Sequence, residues 1–169
     1  MKSKFNLALL PNTKSAAFIQ YAKQFSSLSD SYLLGKHSLP HVTLYQFWQD
    51  KKDIDQVWET ILKLPQQKPL KLLFSELSFT IHKNIFWIAL LPDNRDVLHK
   101  MHAKIARILA LPIKPAFDPH LTLINTTNEN YQIEAKKLIH LQVTISDTFS
   151  LALGKSDEMG QFTKLIYTL

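Results

Sequence analysis

The sequence contains one short pattern twice, as Pro-His-Val-Thr-Leu at residues 40–44 and as Pro-His-Leu-Thr-Leu at residues 119–123. Each copy opens a run of β-branched, aromatic and aliphatic residues, which is typical of a strand that begins just after a proline. The two copies match at one offset, since 120 − 41 = 79 and 119 − 40 = 79. This match indicates that the chain consists of two copies of one folding unit.

The same offset of 79 also aligns the segments that precede the two motifs. It carries the strand that begins at Phe5 onto the one that begins at Asn84. It carries the helix around residues 16–24 onto residues 95–103. The repeat therefore covers strands and helices as well as the two short motifs.

A duplicated unit of alternating strands and helices predicts an α+β domain. We expect a single domain over residues 1–169, built from two pseudo-twofold-related lobes at about residues 1–82 and 83–169. Each lobe is expected to hold an antiparallel-rich sheet, with the two sheets flanking a central cleft and the helices on the outside. Each motif strand would then face the other across that cleft.

Apolar periodicity predicts where the individual elements lie. The predicted strands lie at about residues 5–10, 41–47, 70–81, 85–91, 120–124, 143–153 and 161–167. The predicted helices lie at about residues 13–27, 54–62, 93–109 and 129–139. A turn near Lys83 and Asn84 is expected to join two of the strands into a hairpin.

The composition excludes several classes of chemistry. With 46% apolar and 20% charged residues, the chain is typical of a soluble globular protein. The absence of cysteine excludes disulfides, a thiolate nucleophile and cysteine-ligated zinc. Three glycines are too few for a glycine-rich phosphate loop.

The apolar run at residues 5–10 is too short for export or for a membrane span, so we expect a cytoplasmic protein without membrane contact.

The two motifs place the same pair of polar groups on each strand. Alternate side chains of a strand share a face, so His41 lies beside Thr43 and His120 lies beside Thr122. Histidine ordinarily titrates near neutrality, so two facing imidazoles suit a reaction that needs one base and one acid at once. The threonine hydroxyls can donate hydrogen bonds to phosphate oxygens. This arrangement requires no metal and no cofactor, and the net charge of +6 favours a polyanionic partner.

Paired His-x-Thr motifs in a duplicated domain of this size resemble the 2H phosphoesterase superfamily, in particular its bacterial and archaeal branch of 2′-5′ RNA ligases and cyclic phosphodiesterases. The resemblance covers the whole chain. It implies that His41 and His120 form the catalytic pair, that Thr43 and Thr122 bind phosphate, and that no metal takes part. It also implies substrates such as 2′,3′-cyclic nucleotides, cyclic ADP-ribose phosphates, RNA ends or 2′-5′ linkages.

From the motifs and this resemblance we expect a metal-independent, monomeric phosphodiesterase that hydrolyses 2′,3′-cyclic phosphates of RNA ends or nucleotides by two-histidine acid–base catalysis. Two alternatives stay open. One is a 2′-5′ RNA ligase, and the other is a module that binds RNA or a nucleotide without turning it over. Many relatives in the ligase branch carry a basic residue just after the second motif, whereas this chain continues Ile124-Asn125-Thr126. That difference argues against ligation more than against phosphodiester cleavage.

Two aromatic residues are candidate substrate contacts. Strand alternation would place Tyr45 on the same face as the first motif's histidine and threonine, where its hydroxyl could line the cleft. It could equally pack as a half-buried strand aromatic. Phe117 lies three residues before His120 and could stack on a base, or it could close the core from its loop.

The remaining histidines carry no predicted chemistry. His99 and His102 stand three residues apart on a predicted helix, a spacing that can chelate a metal. No further ligand accompanies them at suitable spacing, so no metal site is expected. His82 and His140 are expected as polar residues at the ends of elements.

Overall fold

The computed structural model describes residues 2–65, 68–82, 84–139 and 142–169. Lys83, at the predicted hairpin turn, lies outside the described residues, as do His140 and the side chain of His82. Asn84, which follows that turn position, has a φ of 64°, a left-handed backbone conformation that asparagine tolerates better than most residues.

Eight strands and four helices are found in the described residues. The strands are β1 (Lys2–Pro11), β2 (Tyr32–Leu33), β3 (Val42–Asp50), β4 (Leu70–His82), β5 (Ile85–Pro92), β6 (Leu121–Thr126), β7 (Ile145–Ser156) and β8 (Phe162–Thr168). The helices are α1 (Ser15–Lys23), α2 (Ile54–Leu62), α3 (Arg95–Ile108) and α4 (Tyr131–Leu138).

Every predicted strand and helix is present, with ends that differ by a few residues. The largest difference in a helix is at α1, which ends at Lys23 and is followed by a 3₁₀ turn at Ser26–Leu28. The sequence analysis did not predict β2. The described helices include none that is both long and apolar enough to span a membrane.

The strands form one antiparallel sheet in the order β2-β6-β5-β4-β7-β1-β3, with β8 paired to β7. The α+β fold with antiparallel pairing is thus confirmed. The two predicted sheets are joined edge to edge, because β4 pairs with β7 through residues 70–74 and 145–149. The two halves of the sequence are interleaved in the sheet, since β4 lies beside β5 and β7 lies beside β1. The division into lobes near residue 82 therefore describes the repeat in the sequence rather than two separate sheets.

Each motif strand is covered by a helix from the other half of the sequence. Helix α3 packs on β3, and α1 packs on β6. The central core lies where the halves meet, at three fully buried phenylalanines. The ring of Phe18 on α1 lies 5.3 Å from that of Phe74 on β4 and 6.0 Å from that of Phe149 on β7, centroid to centroid. This packing joins α1 to β4 and β7, and α1 packs in turn on the second motif strand, β6.

Candidate active site

A β-bulge follows the threonine of each motif. In β3 the residue without a cross-strand partner on β1 is Leu44. In β6 the residue without a partner on β5 is Leu123. These two leucines are 79 residues apart, so the duplication extends to the irregularities of the strands. A bulge bends a strand and redirects the side chains that follow it, which is why bulges are common beside active sites.

The bulge in β3 changes which side chains share a face. Cross-strand partners point to the same side of a sheet. Thr43 pairs with Ala8, whereas Tyr45 pairs with Leu7, and adjacent residues of β1 point to opposite sides. Leu7 is a fully buried core residue, so Tyr45 also points into the core. The prediction that Tyr45 shares a face with His41 and Thr43 is wrong, because simple alternation does not include the bulge.

Both motif imidazoles are held by a backbone carbonyl two residues upstream. His41 Nδ1 lies 2.8 Å from the carbonyl oxygen of Leu39, and His120 Nδ1 lies 2.7 Å from that of Asp118. A carbonyl only accepts hydrogen bonds, so each Nδ1 carries the proton and donates. In each neutral ring the proton is therefore on Nδ1, and Nε2 is the nitrogen that can accept a proton. At Asp118 the contact to His120 is made by the main chain and not by the carboxylate.

The environments of the two histidines differ. His41 is 6% exposed, whereas His120 is half-exposed. The pKa of His41 is lowered to about 4, chiefly by burial and against the opposing effect of hydrogen bonds to the backbone of Leu39 and Gly160. The charge of His120 lowers this pKa further, which places the two imidazoles within electrostatic range of each other. His41 is therefore neutral at pH 7.

The depressed pKa of His41 predicts an acid-sensitive fold. Its ordinary pKa of about 6.5 applies in the unfolded chain, which takes up a proton below that pH while the folded protein does so only near pH 4. The contribution of His41 to the free energy of unfolding is therefore fully present above about pH 6.5 and is lost as the pH drops toward 4. This single group accounts for a loss of roughly 3 kcal/mol at pH 4.

The measurement is urea unfolding of the native protein and of His41→Gln at pH 7 and at about pH 4.5. The glutamine variant lacks the titrating ring and should lose less stability between the two pH values. Equal losses in both proteins would contradict the assignment.

Asn6 orients the hydroxyl of Thr43. The side-chain amide of Asn6 is fully buried and donates to Thr43 Oγ1 at 3.0 Å. A hydroxyl has one proton and two lone pairs, so an oxygen that accepts from Asn6 keeps its own proton to donate elsewhere. Thr122 is half-buried opposite Ala89, and its hydroxyl makes no hydrogen bond to any described residue. Both hydroxyl protons are therefore available to a bound anion.

The turn between β7 and β8 forms the wall of the site beside His41. The ring of Phe162 lies 5.5 Å from the imidazole of His41, centroid to centroid. The backbone N–H of Phe162 donates to Ser38 Oγ at 2.8 Å, and Ser38 Oγ lies 3.4 Å from His41 Nδ1. Gly160 in this turn has a φ of 86°, a conformation that favours glycine. These residues are not among the predicted site residues, since the signal in the sequence was one glycine in the turn of the last hairpin.

Tyr45 and Phe117 both stack on the ring of His102, so each of them contacts other residues of the protein. Tyr45 is 3% exposed, and its hydroxyl donates to the carbonyl of Pro112 at 2.7 Å. Phe117 is half-buried and stacks on His102 at 4.2 Å between ring centroids. His102 stacks in turn on Tyr45 at 5.2 Å. A substrate contact by either aromatic stays a prediction.

The structure uses His99 and His102 for packing and hydrogen bonding. The edge of the His99 ring meets Phe117 at 5.2 Å. Both ring nitrogens of His102 are engaged by backbone groups, its Nδ1 by Leu44 and its Nε2 by Lys114. Across residues 2–65, 68–82, 84–139 and 142–169, no three His, Asp or Glu side chains are grouped in a way that could hold a metal ion.

Two lysines, Lys4 on β1 and Lys114 in the segment before His120, lie within electrostatic range of each other. Lys4 lies two residues before Asn6 on β1, on the same face of the strand, and its Nζ donates to the carbonyl of Glu158 at 3.1 Å. Lys114 Nζ lies 4.7 Å from the centre of the Tyr45 ring. Burial lowers the pKa of both ammonium groups; the carboxylates of Asp157 and Glu158 oppose this at Lys4, and the charge of Lys4 lowers the pKa of Lys114 further. An anion near the two ammonium groups would relieve this repulsion.

Comparisons with known proteins agree with this fold. The family model of the 2′-5′ RNA ligase superfamily matches residues 11–152. A search of the curated proteins finds no significant match.

Three solved structures illustrate the likeness in fold. E. coli LigT in complex with 3′-AMP is 13% identical, with a TM-score of 0.66 over 99% of this chain and 96% of that one. A structure described as a phosphoesterase is 12% identical, with a TM-score of 0.62 over 100% of this chain and 98% of that one. Usb1 from Kluyveromyces marxianus is 12% identical, with a TM-score of 0.52 over 99% of this chain and 96% of that one. The family match over most of the sequence, on a fold of this kind, shows that the chain belongs to the 2′-5′ RNA ligase superfamily.

Proposed function

We propose that this chain hydrolyses 2′,3′-cyclic phosphates of nucleotides or RNA ends, with His41 as the general base and His120 as the general acid. The observation that carries the proposal is the matched geometry of the two imidazoles, each with its Nδ1 proton committed to a backbone carbonyl. Two such rings, with a threonine hydroxyl beside each, suit an in-line reaction at phosphorus. Membership of the superfamily supports an enzyme that acts on phosphodiester bonds.

The roles of the two histidines follow from their solvation. His41 is buried and its pKa of about 4 keeps it neutral at pH 7, so its Nε2 can accept a proton. His120 is half-exposed, so a charged ring at this position keeps part of its hydration. The buried ring is therefore the base, and the partly hydrated ring is the acid.

The reaction begins with attack of a water oxygen on the phosphorus, in line with the ribose oxygen that departs. Nε2 of His41 takes a proton from this water, and Nε2 of His120 gives a proton to the departing oxygen. One P–O bond forms and one breaks, and the product is a ribose monophosphate with a free hydroxyl beside it. The hydroxyls of Thr43 and Thr122 donate to the non-bridging oxygens, where negative charge is concentrated in the transition state. Exchange with solvent then returns both rings to their starting protonation states.

Two further observations support a nucleotide as the substrate. E. coli LigT was solved with 3′-AMP bound, and a 3′-monophosphate is one of the two products that opening a 2′,3′-cyclic phosphate can give. The positive charge of Lys4 and Lys114 suits a substrate that carries additional phosphates.

The experiment that tests the proposal is a panel of substrates with each product isomer identified by NMR. The panel contains the four 2′,3′-cyclic nucleotides, a cyclic ADP-ribose phosphate, 2′-5′ oligoadenylate and RNA halves that end in a cyclic phosphate and a 5′-hydroxyl. We expect conversion of cyclic phosphates to monophosphates by the native protein and none by the double variant His41→Ala/His120→Ala. Tight binding with no product on long incubation would identify a binding module instead. A 2′-5′ linkage between the RNA halves would identify a ligase, in which a 5′-hydroxyl replaces the water.

The pKa of His41 also predicts the acid side of the pH–rate profile. The value of kcat/KM reports the free enzyme, so its acid limb should have its midpoint near pH 4, where His41 becomes protonated. Activity should thus persist well below the ordinary pKa of histidine, about 6.5. The measurement is the initial rate on a cyclic nucleotide from about pH 3.5 to pH 8, with the folded fraction checked by circular dichroism at each pH. An acid limb centred near pH 6.5 would argue against a buried base.

A further inference from the structure

The segment that leads from α3 to His120 has no helix or strand of its own. It runs through residues 112–119 and contains Pro112, Pro115 and Pro119, which have no backbone N–H to donate. Its position therefore depends on contacts from side chains outside it. We call residues 112–119 the His120 loop.

His102 on α3 links this loop to the strand of the first motif. The ring of His102 is 2% exposed, and its Nδ1 donates to the carbonyl of Leu44 at 2.8 Å. With the proton on Nδ1, Nε2 is an acceptor, and it accepts the backbone N–H of Lys114 at 3.1 Å. One neutral ring thus bridges the residue after Thr43 and the loop before His120.

Ring stacking strengthens the same link. The rings of Tyr45, His102 and Phe117 are nearly parallel, with interplanar angles of 10° and 7°. Tyr45 comes from the first motif strand and Phe117 from the His120 loop, so His102 lies between the two halves of the site. The Tyr45 hydroxyl also donates to the first residue of the loop, at the carbonyl of Pro112.

The contact to Leu44 is made at the bulge in β3, which is also an edge strand of the sheet. A bulged residue has no ladder partner on the adjacent strand, so its carbonyl is free for another donor. At the equivalent bulge in β6, the carbonyl of Leu123 accepts the backbone N–H of Leu34 at 2.9 Å. At the bulge of the first half this place is taken by the side chain of His102, which belongs to the second half and also contacts the His120 loop.

We propose that His102 is a positioning residue, which holds His120 in register with the first motif by clamping the His120 loop to Leu44. The inference rests on the proposed function, since it assigns His102 a part in orienting the general acid. His102 does not contact the reacting atoms in this role. A misplacement of the acid by about 1 Å is enough to lower a rate substantially, by about 10²-fold.

The test uses His102→Gln and His102→Asn as a matched pair. Both variants lose the stacked ring. The oxygen of glutamine reaches the place of Nε2 and can still accept from Lys114, whereas the amide nitrogen of asparagine reaches only the place of Nδ1 and can still donate to Leu44. We expect kcat on a cyclic phosphate to fall in the order native, Gln, Asn, with the asparagine variant reduced about 10²-fold and KM changed much less.

A second readout does not depend on turnover. Hydrogen exchange at the Lys114 amide, followed by NMR, should become at least about tenfold faster in His102→Asn and change less in His102→Gln. This exchange pattern supports the clamp even if no cyclic phosphate is turned over, in which case only the proposed function fails. A native exchange rate at Lys114 in the asparagine variant overturns the clamp. So does a kcat for the folded asparagine variant equal to that of the glutamine variant, because both lose the ring, and only glutamine keeps the contact that holds the His120 loop.

Discussion

Changing either His41 or His120 to alanine is expected to lower kcat for opening a 2′,3′-cyclic phosphate by about 10²–10⁴, the range for removing a general acid or base. The rings occupy matched positions, with Nδ1 held by the carbonyl of Leu39 or of Asp118, so each loss removes one proton transfer. The measurement is the initial rate of monophosphate formation from 2′,3′-cyclic AMP. Because His41 is buried, His41→Gln serves as a control that keeps most of the side-chain volume. A rate loss confined to the alanine variant would indicate a packing effect rather than lost catalysis.

A diester with a good leaving group separates the two roles. Nitrophenolate departs as a stable anion, so an acid contributes little to the hydrolysis of bis(4-nitrophenyl) phosphate. With this substrate His120→Ala should lose less activity than His41→Ala, although both lose activity on the cyclic phosphate. The opposite order would mean that His120 is the base and His41 the acid.

Changing Thr43 or Thr122 to valine is expected to lower kcat by about 10²–10³-fold, the effect of removing one donor where negative charge develops. Valine keeps the shape and the β-branched character that suit a strand, and it removes only the hydroxyl. Thr122→Val is the cleaner variant, because Thr43→Val also leaves the buried amide of Asn6 without its partner. That orphaned amide should lower the free energy of unfolding by about 1–3 kcal/mol in the Thr43 variant only.

The matched control for each valine variant is serine at the same position. Serine keeps the hydroxyl and loses one methyl group, so both Thr→Ser variants should retain most of the native kcat. Valine variants as active as their serine counterparts would exclude the threonines from transition-state stabilisation.

The fold was predictable from the sequence wherever elements were long enough to show a period. Seven of the eight strands and all four helices of the described residues follow from apolar spacing. The exception is β2, whose two residues are too short to show alternation. It forms because Tyr32 and Leu33 pair with Asn125 and Ile124 of β6. These partners are 93 and 91 residues away in the chain (125 − 32 and 124 − 33), so a local pattern does not reveal them.

The residue types of the candidate site were also predictable, but their orientation was not. The repeated motif identifies His41, Thr43 and their counterparts, and a proline before each histidine is visible in the sequence. The bulge that turns Tyr45 into the core depends on the register between β3 and β1, which is set by tertiary packing. Likewise, the link made by His102 requires α3 to cross onto the strand of the other half, and periodicity within a helix does not predict that crossing.

The position of β1 in the sheet has a consequence for the synthesis of the chain. Among the described strands β1 leaves the ribosome before the others, and it pairs on one side with β3 and on the other with residues 149–155 of β7. Of the described strands only β8 follows β7, so the pairing of β1 with β7 must wait until residues 149–155 have been translated. Pairings between such distant segments slow folding and leave strand edges open in the meantime. Nascent chains truncated before β7 should therefore bind chaperones or aggregate more readily than the full chain, because one side of β1 is left unpaired.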